Sequence, residues 1–145
     1  MGYPASDELV LEKMRSFVGQ LNEESEKGSV VVVEGRRDAE ALFRIGFTGN
    51  PAIFHNFKGI ADFVDTHGHT GKKIILLLDM DRTGKYLTSK LVSQLQTRRK
   101  NVTLFYKHAL AKITNGKVRH VEDLTIFAPQ MSGITGSRKD LYFYT

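Results

Sequence analysis

The feature of the sequence that most constrains its fold is a run of five aliphatic residues at 74–78, followed at once by Asp79, Met80 and Asp81. Such a run suits a strand that is covered on both faces, as in the parallel sheets of α/β proteins. Ligand sites in those sheets lie beyond the carboxyl ends of the strands, which is where the two aspartates are expected. Residues two apart in extended chain point to the same side, and two carboxylates so placed repel each other unless a cation lies between them. Mg²⁺, a hard cation that prefers oxygen ligands, is the expected ion.

A second aliphatic run, residues 30–33, also ends in an acid, Glu34. If the two strands are adjacent, the carboxylates of Glu34, Asp79 and Asp81 converge at one edge of the sheet. Such a cluster can hold one or two Mg²⁺ ions and polarise a phosphate, and a carboxylate that the metal does not engage can serve as general acid or base. The structural alternative, that each acid marks the return of its strand to solvent, stays open at this point.

The rest of the chain alternates between helical and extended patterns. The spacing of apolar residues predicts helices over 7–26, 38–45, 58–66 and 83–99. Apolar and β-branched runs predict strands over 29–34, 52–55, 73–78 and 102–106. This alternation predicts an α/β fold with a four-stranded, mainly parallel sheet flanked by helices and preceded by an N-terminal helix. The later part of the chain has a weaker pattern, which predicts a helix over about 118–127, a loop over 129–136 and a final strand over 141–144.

Length and composition are those of one globular domain, because a chain of 145 residues is long enough to bury a stable core without disulfide bonds. The absence of cysteine excludes disulfides, thiolate zinc sites and a thiol nucleophile. There is no apolar run long enough to span a bilayer, and the polar N-terminus lacks a signal-peptide pattern. We therefore expect a cytoplasmic protein that does not act in a membrane.

The net charge of +5 is unevenly distributed along the chain. Residues 1–81 contain 9 Lys and Arg against 13 Asp and Glu, whereas residues 82–145 contain 12 against 3. A basic half beside an acidic site favours a polyanionic partner, with cations meeting phosphates away from the metal. A solvated basic surface explains the same charge without any partner.

The two acid-terminated strands together resemble the Toprim domain. Its signature is a Glu-Gly that closes one strand and an Asp-x-Asp that closes a later one, and these motifs are matched here by Glu34-Gly35 and by Asp79-Met80-Asp81. The resemblance covers about residues 28–110. The single domain over 1–145 would then consist of this core, the N-terminal helix at 7–26 and a C-terminal extension at 111–145.

Toprim domains occur in topoisomerases, bacterial-type primases, OLD-family nucleases, recombination-mediator proteins and ribosomal-RNA maturation nucleases. The size is similar to that of the small stand-alone Toprim proteins of archaea and some bacteria. The resemblance implies that Glu34 binds metal or acts as general acid or base, and that Asp79 and Asp81 bind Mg²⁺, with Mn²⁺ as a second option. Because the chain shows neither the tyrosine-bearing domain of topoisomerases nor the cysteine zinc module of primases, it favours nuclease-like phosphoryl transfer in RNA processing or DNA repair. A nucleic-acid-binding module that keeps the metal site without turnover is the competing hypothesis.

Basic residues near the motifs and in the basic half are candidate contacts to RNA or DNA. They are Arg36, Arg37, Lys85, Arg98, Arg99 and Lys100. The last three close the helix predicted over 83–99, where cations also complement the helix dipole. Plain surface charge is the alternative for each of them, and assembly into a homo-oligomer stays open.

Another enzyme class uses the same aspartates differently. The pattern Asp79-x-Asp81-x-Thr83 after an apolar strand is also typical of haloacid-dehalogenase-type phosphatases, in which Asp79 would be the nucleophile and Asp81 the general acid. That family has a downstream Gly-Asp-x-x-x-Asp metal motif, for which the adjacent Glu122 and Asp123 are the nearest match here. This interpretation leaves Glu34 unexplained.

Overall fold

The computed structural model describes residues 7–68, 70–98 and 100–132. The strands are β1 (Val30–Val33), β2 (Ala52–Ile53), β3 (Ile74–Leu76) and β4 (Val102–Thr103). The helices are α1 (Glu8–Glu26), α2 (Arg36–Arg44), α3 (Ile60–His67), α4 (Arg82–Thr97), α5 (Phe105–Ile113) and α6 (Ala128–Ser132). Two 3₁₀ helices, Phe54–Asn56 and Val121–Phe127, complete the described structure.

The four strands form one sheet in the order β2-β1-β3-β4, and every pair is parallel. In the centre of the sheet Val32 lies opposite Leu76, so β1 and β3 are neighbours. The prediction of an α/β fold with a parallel four-stranded sheet is confirmed. The adjacency of β1 and β3 also places the two acid-terminated strand ends side by side.

Both faces of the sheet are covered, which explains why the two central strands are aliphatic throughout. Successive side chains of a strand point to opposite faces. Val31 and Ile75 therefore belong to a core with α1, α2 and α5, whereas Val32 and Leu76 belong to a second core with α3 and α4. Burial of each such aliphatic side chain contributes roughly 1.5–3 kcal/mol to stability.

The N-terminal helix follows directly from its sequence. Asp7 is the N-cap, and its carboxylate accepts hydrogen bonds from the backbone nitrogens of Leu9 and Val10. One stripe of the helix, Leu11, Met14, Phe17, Val18 and Leu21, is buried against the sheet. No helix in the described part of the chain is long and apolar enough to cross a membrane.

The region after β4 differs from the prediction. The strand expected over 102–106 ends at Thr103, and α5 begins at Phe105, whose backbone nitrogen donates to the Thr103 side chain. Burial of Tyr106 against Phe17 and of Leu110 in the core stabilises this helix.

Further along the chain, the helix expected over about 118–127 is a 3₁₀ helix from Val121 to Phe127. The loop expected over 129–136 is wrong at its start, because Pro129 lies in the first turn of α6, where a missing N–H costs nothing. The strand predicted over 141–144 lies outside the described residues.

Candidate functional site

The ends of β1 and β3 meet at a small pocket of about 380 Å³. Pairing continues to this edge, where the Leu77 nitrogen donates to the Val32 carbonyl at 2.8 Å. The residues that line the pocket are Glu34, Gly35, Arg36, Arg37, Asp38, His55, Asp79 and Glu122. The structure thus brings Glu34 and Asp79 into one pocket and adds Asp38 to them.

Glu34 has a buried oxygen that lacks a partner. Its side chain is 12 % exposed, and Oε1 is fully buried without a hydrogen bond to any described residue. The other oxygen, Oε2, lies 4.0 Å from Nε2 of His55. A buried acceptor without a partner is costly, so this carboxylate is suited to receive a cation or a donor from a ligand.

Asp79 is buried beside other acids. Its Oδ1 accepts a hydrogen bond of 2.8 Å from the backbone nitrogen of Val121. The pKa of Asp79 is raised to about 6, chiefly by burial and also by the negative charges of Asp38 and Glu34, against the opposing effect of the Val121 bond. The nearby positive charge of His120 offsets this rise only in part, so a bound cation would stabilise the ionised carboxylate further.

Asp81 has a different environment, although it is only two residues away. It is the N-cap of α4, and its Oδ1 accepts a hydrogen bond of 2.8 Å from the Gly84 nitrogen. Its Oδ2 lies 3.1 Å from Nε2 of His120. The Gly84 bond lowers the pKa of Asp81, and His120 lowers it further against a small opposing effect of burial. Both oxygens of Asp81 are therefore already engaged.

Gly84 is required where α4 starts. A β-carbon at this position would overlap the backbone carbonyl of Asp79. The glycine that follows the Asp-x-Asp motif therefore lets the helix begin directly against the strand end, and it positions the Asp81 carboxylate over the first turn.

Asp38 joins the pocket to the C-terminal part of the chain. Its Oδ2 accepts a hydrogen bond of 2.9 Å from the Gly35 nitrogen, and its Oδ1 accepts one of 3.0 Å from the Glu122 nitrogen. Burial raises its pKa, and these two bonds oppose the rise. The link from Asp38 to the Glu122 nitrogen was not predicted from the sequence.

Four consecutive residues, 119–122, hold the acids in place. The Arg119 carbonyl accepts a hydrogen bond of 2.7 Å from the Met80 nitrogen. The next three residues contact Asp81, Asp79 and Asp38 in turn, through the His120 ring and through the backbone nitrogens of residues 121 and 122. We call residues 119–122 the clasp. Sequence reasoning singled out Glu122 and Asp123 for their charge, whereas the backbone of the clasp provides three of these four contacts.

Lys107 of α5 is a buried cation that sequence reasoning missed. Its Nζ lies 3.0 Å from Oγ1 of Thr88 and 3.4 Å from the Asp79 carbonyl oxygen. Burial lowers the pKa of Lys107, as does the charge of Lys85, while the nearby carboxylates including Glu34 raise it. The sequence did not indicate a role for Lys107 because the helix that bears it was not predicted.

The predicted nucleic-acid contacts fall into two groups. Arg36 and Arg37 are exposed at the pocket, and Lys85 is exposed in the first turn of α4. Arg98 lies at the far end of α4, about 24 Å away along a 16-residue helix, and pairs with Asp65 at 2.6 Å.

Two further residues of that predicted set remain. Lys100 donates to the Thr70 carbonyl at 2.7 Å, and Arg99 lies outside the described residues. The structure therefore brings Arg36, Arg37 and Lys85 to the acids and leaves Arg98 and Lys100 in local contacts.

The carboxylates at the pocket match one common way in which proteins bind Mg²⁺. Within residues 7–132, apart from the two positions that are not described, there is no group of three or more His, Asp or Glu side chains arranged to hold a metal ion. Mg²⁺, however, keeps several waters and is commonly bound through one or two carboxylates together with substrate phosphates. Glu34, with its unpartnered Oε1, and Asp79 supply such a pair, so the residues present fit the ion.

Comparison with known proteins gives matches along most of the chain. A UPF0292 protein of Archaeoglobus fulgidus is 32% identical over 117 residues, which cover 81% of this chain and 90% of the relative. A UPF0292 protein of Methanosarcina barkeri is 28% identical over 132 residues, covering 90% and 92%. A solved structure of a protein from Aquifex aeolicus has a TM-score of 0.64 and 27% identity, covering 75% of this chain and 95% of that one. No family model matches the chain.

Proposed function

The chain belongs to the UPF0292 protein family, and we propose that it is a Mg²⁺-dependent Toprim-type protein that binds and cleaves nucleic-acid phosphodiesters in RNA processing or DNA repair. The proposal rests on the two strand ends that resemble the Toprim signature and on the contacts of the acids there. Mn²⁺ would serve in place of Mg²⁺, because both ions suit carboxylate and water ligands.

One observation supports this function more than any other. The neighbouring parallel strands β1 and β3 end in Glu34 and Asp79 at one pocket, where Oε1 of Glu34 is buried without a partner. Acids that only return a strand to solvent would be exposed and hydrated. These two are buried and crowded by a third carboxylate, Asp38, an arrangement that favours a cation.

In this proposal the residues at the pocket have different roles. Glu34 and Asp79 would hold the ion, which when bound polarises a phosphate oxygen. Arg36 and Arg37 at the pocket would attract the phosphates of a substrate. Asp38 and the clasp would hold the Asp79 carboxyl group in position, and Lys107 would place a positive charge behind it.

The metal site is tested by calorimetric titration of Mg²⁺ into the wild type, Glu34→Gln and Asp79→Asn, with the exposed Glu40→Gln on α2 as matched control. We expect binding by the wild type and the control, and a loss of at least about tenfold in the two site variants, which corresponds to about 1.4 kcal/mol. Equal Mg²⁺ affinity in all four proteins would contradict the proposed metal site.

Turnover is tested with labelled single- and double-stranded RNA and DNA, with Mg²⁺, with Mn²⁺ and with EDTA. We expect metal-dependent cleavage by the wild type and none by Asp79→Asn. Hydrolysis of small phosphomonoesters without cleavage of polynucleotides would instead favour the phosphatase chemistry in which Asp79 is the nucleophile.

A second candidate function, a nucleic-acid-binding module without turnover, is favoured by the environment of Asp81. Both of its oxygens are engaged, one by the Gly84 nitrogen and the other by His120. An aspartate so occupied would support a binding site without completing a catalytic one. Oligonucleotide binding without cleavage in either metal would establish this candidate.

A further inference from the structure

A long groove lies between α4 and α5 at the β4 edge of the sheet. Its volume is about 1080 Å³. One wall extends from Lys85 to Thr97 along α4, and the other from Leu104 to Ala111 along α5. At 1.5 Å per residue the α4 wall is about 18 Å long. The groove reaches Met80, the residue between the two aspartates, so it lies next to the site at the strand ends.

The charged side chains of this groove have one sign. Among the described residues that line it, Lys85, Lys107 and Arg119 are cations and none is an acid. They gather at the Met80 end, where the Arg119 guanidinium lies 3.4 Å from the Met80 carbonyl oxygen and Lys107 contacts the Asp79 carbonyl. Lys107 and Arg119 also interact with the carboxylate of Asp81, and the three cations together provide a place for phosphate groups.

The remainder of the groove combines apolar surface with short polar side chains. Val92, Leu104 and Ala111 are half-buried and contribute the apolar part. Hydroxyl and amide groups from Ser89 and Gln96 on α4 lie beside them. Apolar surface next to donors and acceptors suits the faces and edges of nucleobases.

We propose that this groove binds a single-stranded polynucleotide and directs its phosphates towards the strand end that bears Asp79 and Asp81. The inference rests on the proposed function, because it names the substrate class of that site. Single strands expose base faces that can pack on an apolar surface, whereas a duplex keeps those faces stacked inside and presents phosphates to the protein. A length of about 18 Å accommodates about five nucleotides at the 3.4 Å spacing of a stacked strand.

Lys107 has a special place in this arrangement. It is buried at the junction of groove and carboxylate pocket, and its charge interacts with Glu34 and Asp79 on one side and with Lys85 on the other. A phosphate at this junction would add a further anion beside this desolvated ammonium group.

The experiment measures fluorescence anisotropy of a labelled RNA of about 12 nucleotides, a single-stranded DNA of the same sequence and the corresponding duplex, in EDTA and at several salt concentrations. The variants are Lys85→Gln, Arg119→Gln and Lys107→Met. The matched control is Lys90→Gln, which removes an exposed lysine of the same helix whose Nζ lies over the Tyr86 ring rather than in the groove. Thermal unfolding of each variant establishes that it is folded.

We expect both single strands to bind more tightly than the duplex. Each groove variant should lose about three- to tenfold in affinity, and the slope of log K against log salt should fall by about 0.7 for each phosphate contact removed. Lys90→Gln should bind like the wild type. Wild-type affinity in Lys85→Gln and Arg119→Gln, or tighter binding of the duplex, would overturn the proposal.

The test separates this inference from the proposed function. Because it is performed in EDTA, groove binding is measured without the metal. Loss of oligonucleotide affinity in the groove variants, together with an unchanged Mg²⁺ titration in Asp79→Asn, would support the groove and contradict the metal site. Unchanged oligonucleotide affinity in the groove variants, together with weaker Mg²⁺ binding by Asp79→Asn, would contradict the groove and support the metal site.

Discussion

The backbone nitrogen of Val121 lies 2.8 Å from Oδ1 of Asp79 and donates a hydrogen bond to it across 42 positions of the sequence. This bond connects the end of the central strand β3 to the clasp. The orientation of a buried acid of the site is therefore set by the backbone of a distant segment. A backbone donor is independent of the side chain at position 121, so it survives substitutions there.

Asp79→Asn tests the charge of the buried carboxyl group. Since burial raises the pKa of Asp79 from its ordinary 3.8 to about 6, the folded protein binds more protons than the unfolded chain between these values. Stability of the metal-free wild type should consequently fall as the pH rises from about 4 to about 6. The variant keeps an acceptor for Val121 without the charge, so it should be more stable at pH 7 by up to about 3 kcal/mol, at 1.36 kcal/mol for each pKa unit.

The measurement is chemical denaturation in EDTA across this pH range. Asp7→Asn is the control, because Asn and Asp are equivalent at an N-cap. Addition of Mg²⁺ should stabilise the wild type and leave Asp79→Asn unchanged. A variant less stable than the wild type at pH 7 would contradict the assignment of Asp79 as a destabilising charge.

Asp38→Ala tests the link between α2 and the clasp. The substitution leaves the nitrogens of Gly35 and Glu122 without their acceptor. Two hydrogen bonds to a charged group contribute about 3–6 kcal/mol, and removal of the buried charge offsets part of this, so we expect a loss of about 2–4 kcal/mol in the free energy of unfolding. Glu40→Ala, an exposed acid on the same helix, should change stability by less than about 0.5 kcal/mol. Equal effects of the two substitutions on stability would show that the hydrogen bonds of Asp38 do not stabilise the link between α2 and the clasp.

Gly84→Ala tests the close approach of α4 to β3. A methyl group there would overlap the Asp79 carbonyl, which is backbone and has no rotamer that avoids the contact. We expect a loss of about 3 kcal/mol or more, together with reduced Mg²⁺ affinity, because the strand end must move. Gly19→Ala provides the opposite case, since this glycine is exposed in α1 with nothing within 4 Å. That substitution should raise stability by about 0.5–1 kcal/mol. Thermal unfolding of both variants measures the contrast.

Arg98→Gln tests which basic residues contact nucleic acid. Arg98 pairs with Asp65 and lies at the opposite end of α4 from the acids. We expect its removal to leave oligonucleotide affinity within about twofold of the wild type, because the Arg98 guanidinium is paired with Asp65 and does not line the groove. Anisotropy with the labelled RNA measures this. A loss as large as that of Lys85→Gln would show that Arg98 contacts the oligonucleotide despite its pairing with Asp65.

The sequence predicted the central strands and their terminal acids because both signals are local. Aliphatic runs over 30–33 and 74–78 indicate buried parallel strands, and the acids follow them directly. The clasp was not predictable in the same way, since its contact with Asp38 joins residues 84 positions apart through a backbone nitrogen. Lys107 was missed for a related reason: tertiary packing of Tyr106 and Leu110 makes a helix where the aromatic sequence favoured a strand.

The two outer strands of the sheet, β2 and β4, are each two residues long. An edge of this length offers another chain very few unpaired N–H and C=O groups, and short edge strands are one means by which proteins avoid aggregation through added strands. Growth of this sheet from copy to copy is therefore disfavoured at both edges. Within the described residues, the surfaces left for self-association are those of the helices and side chains.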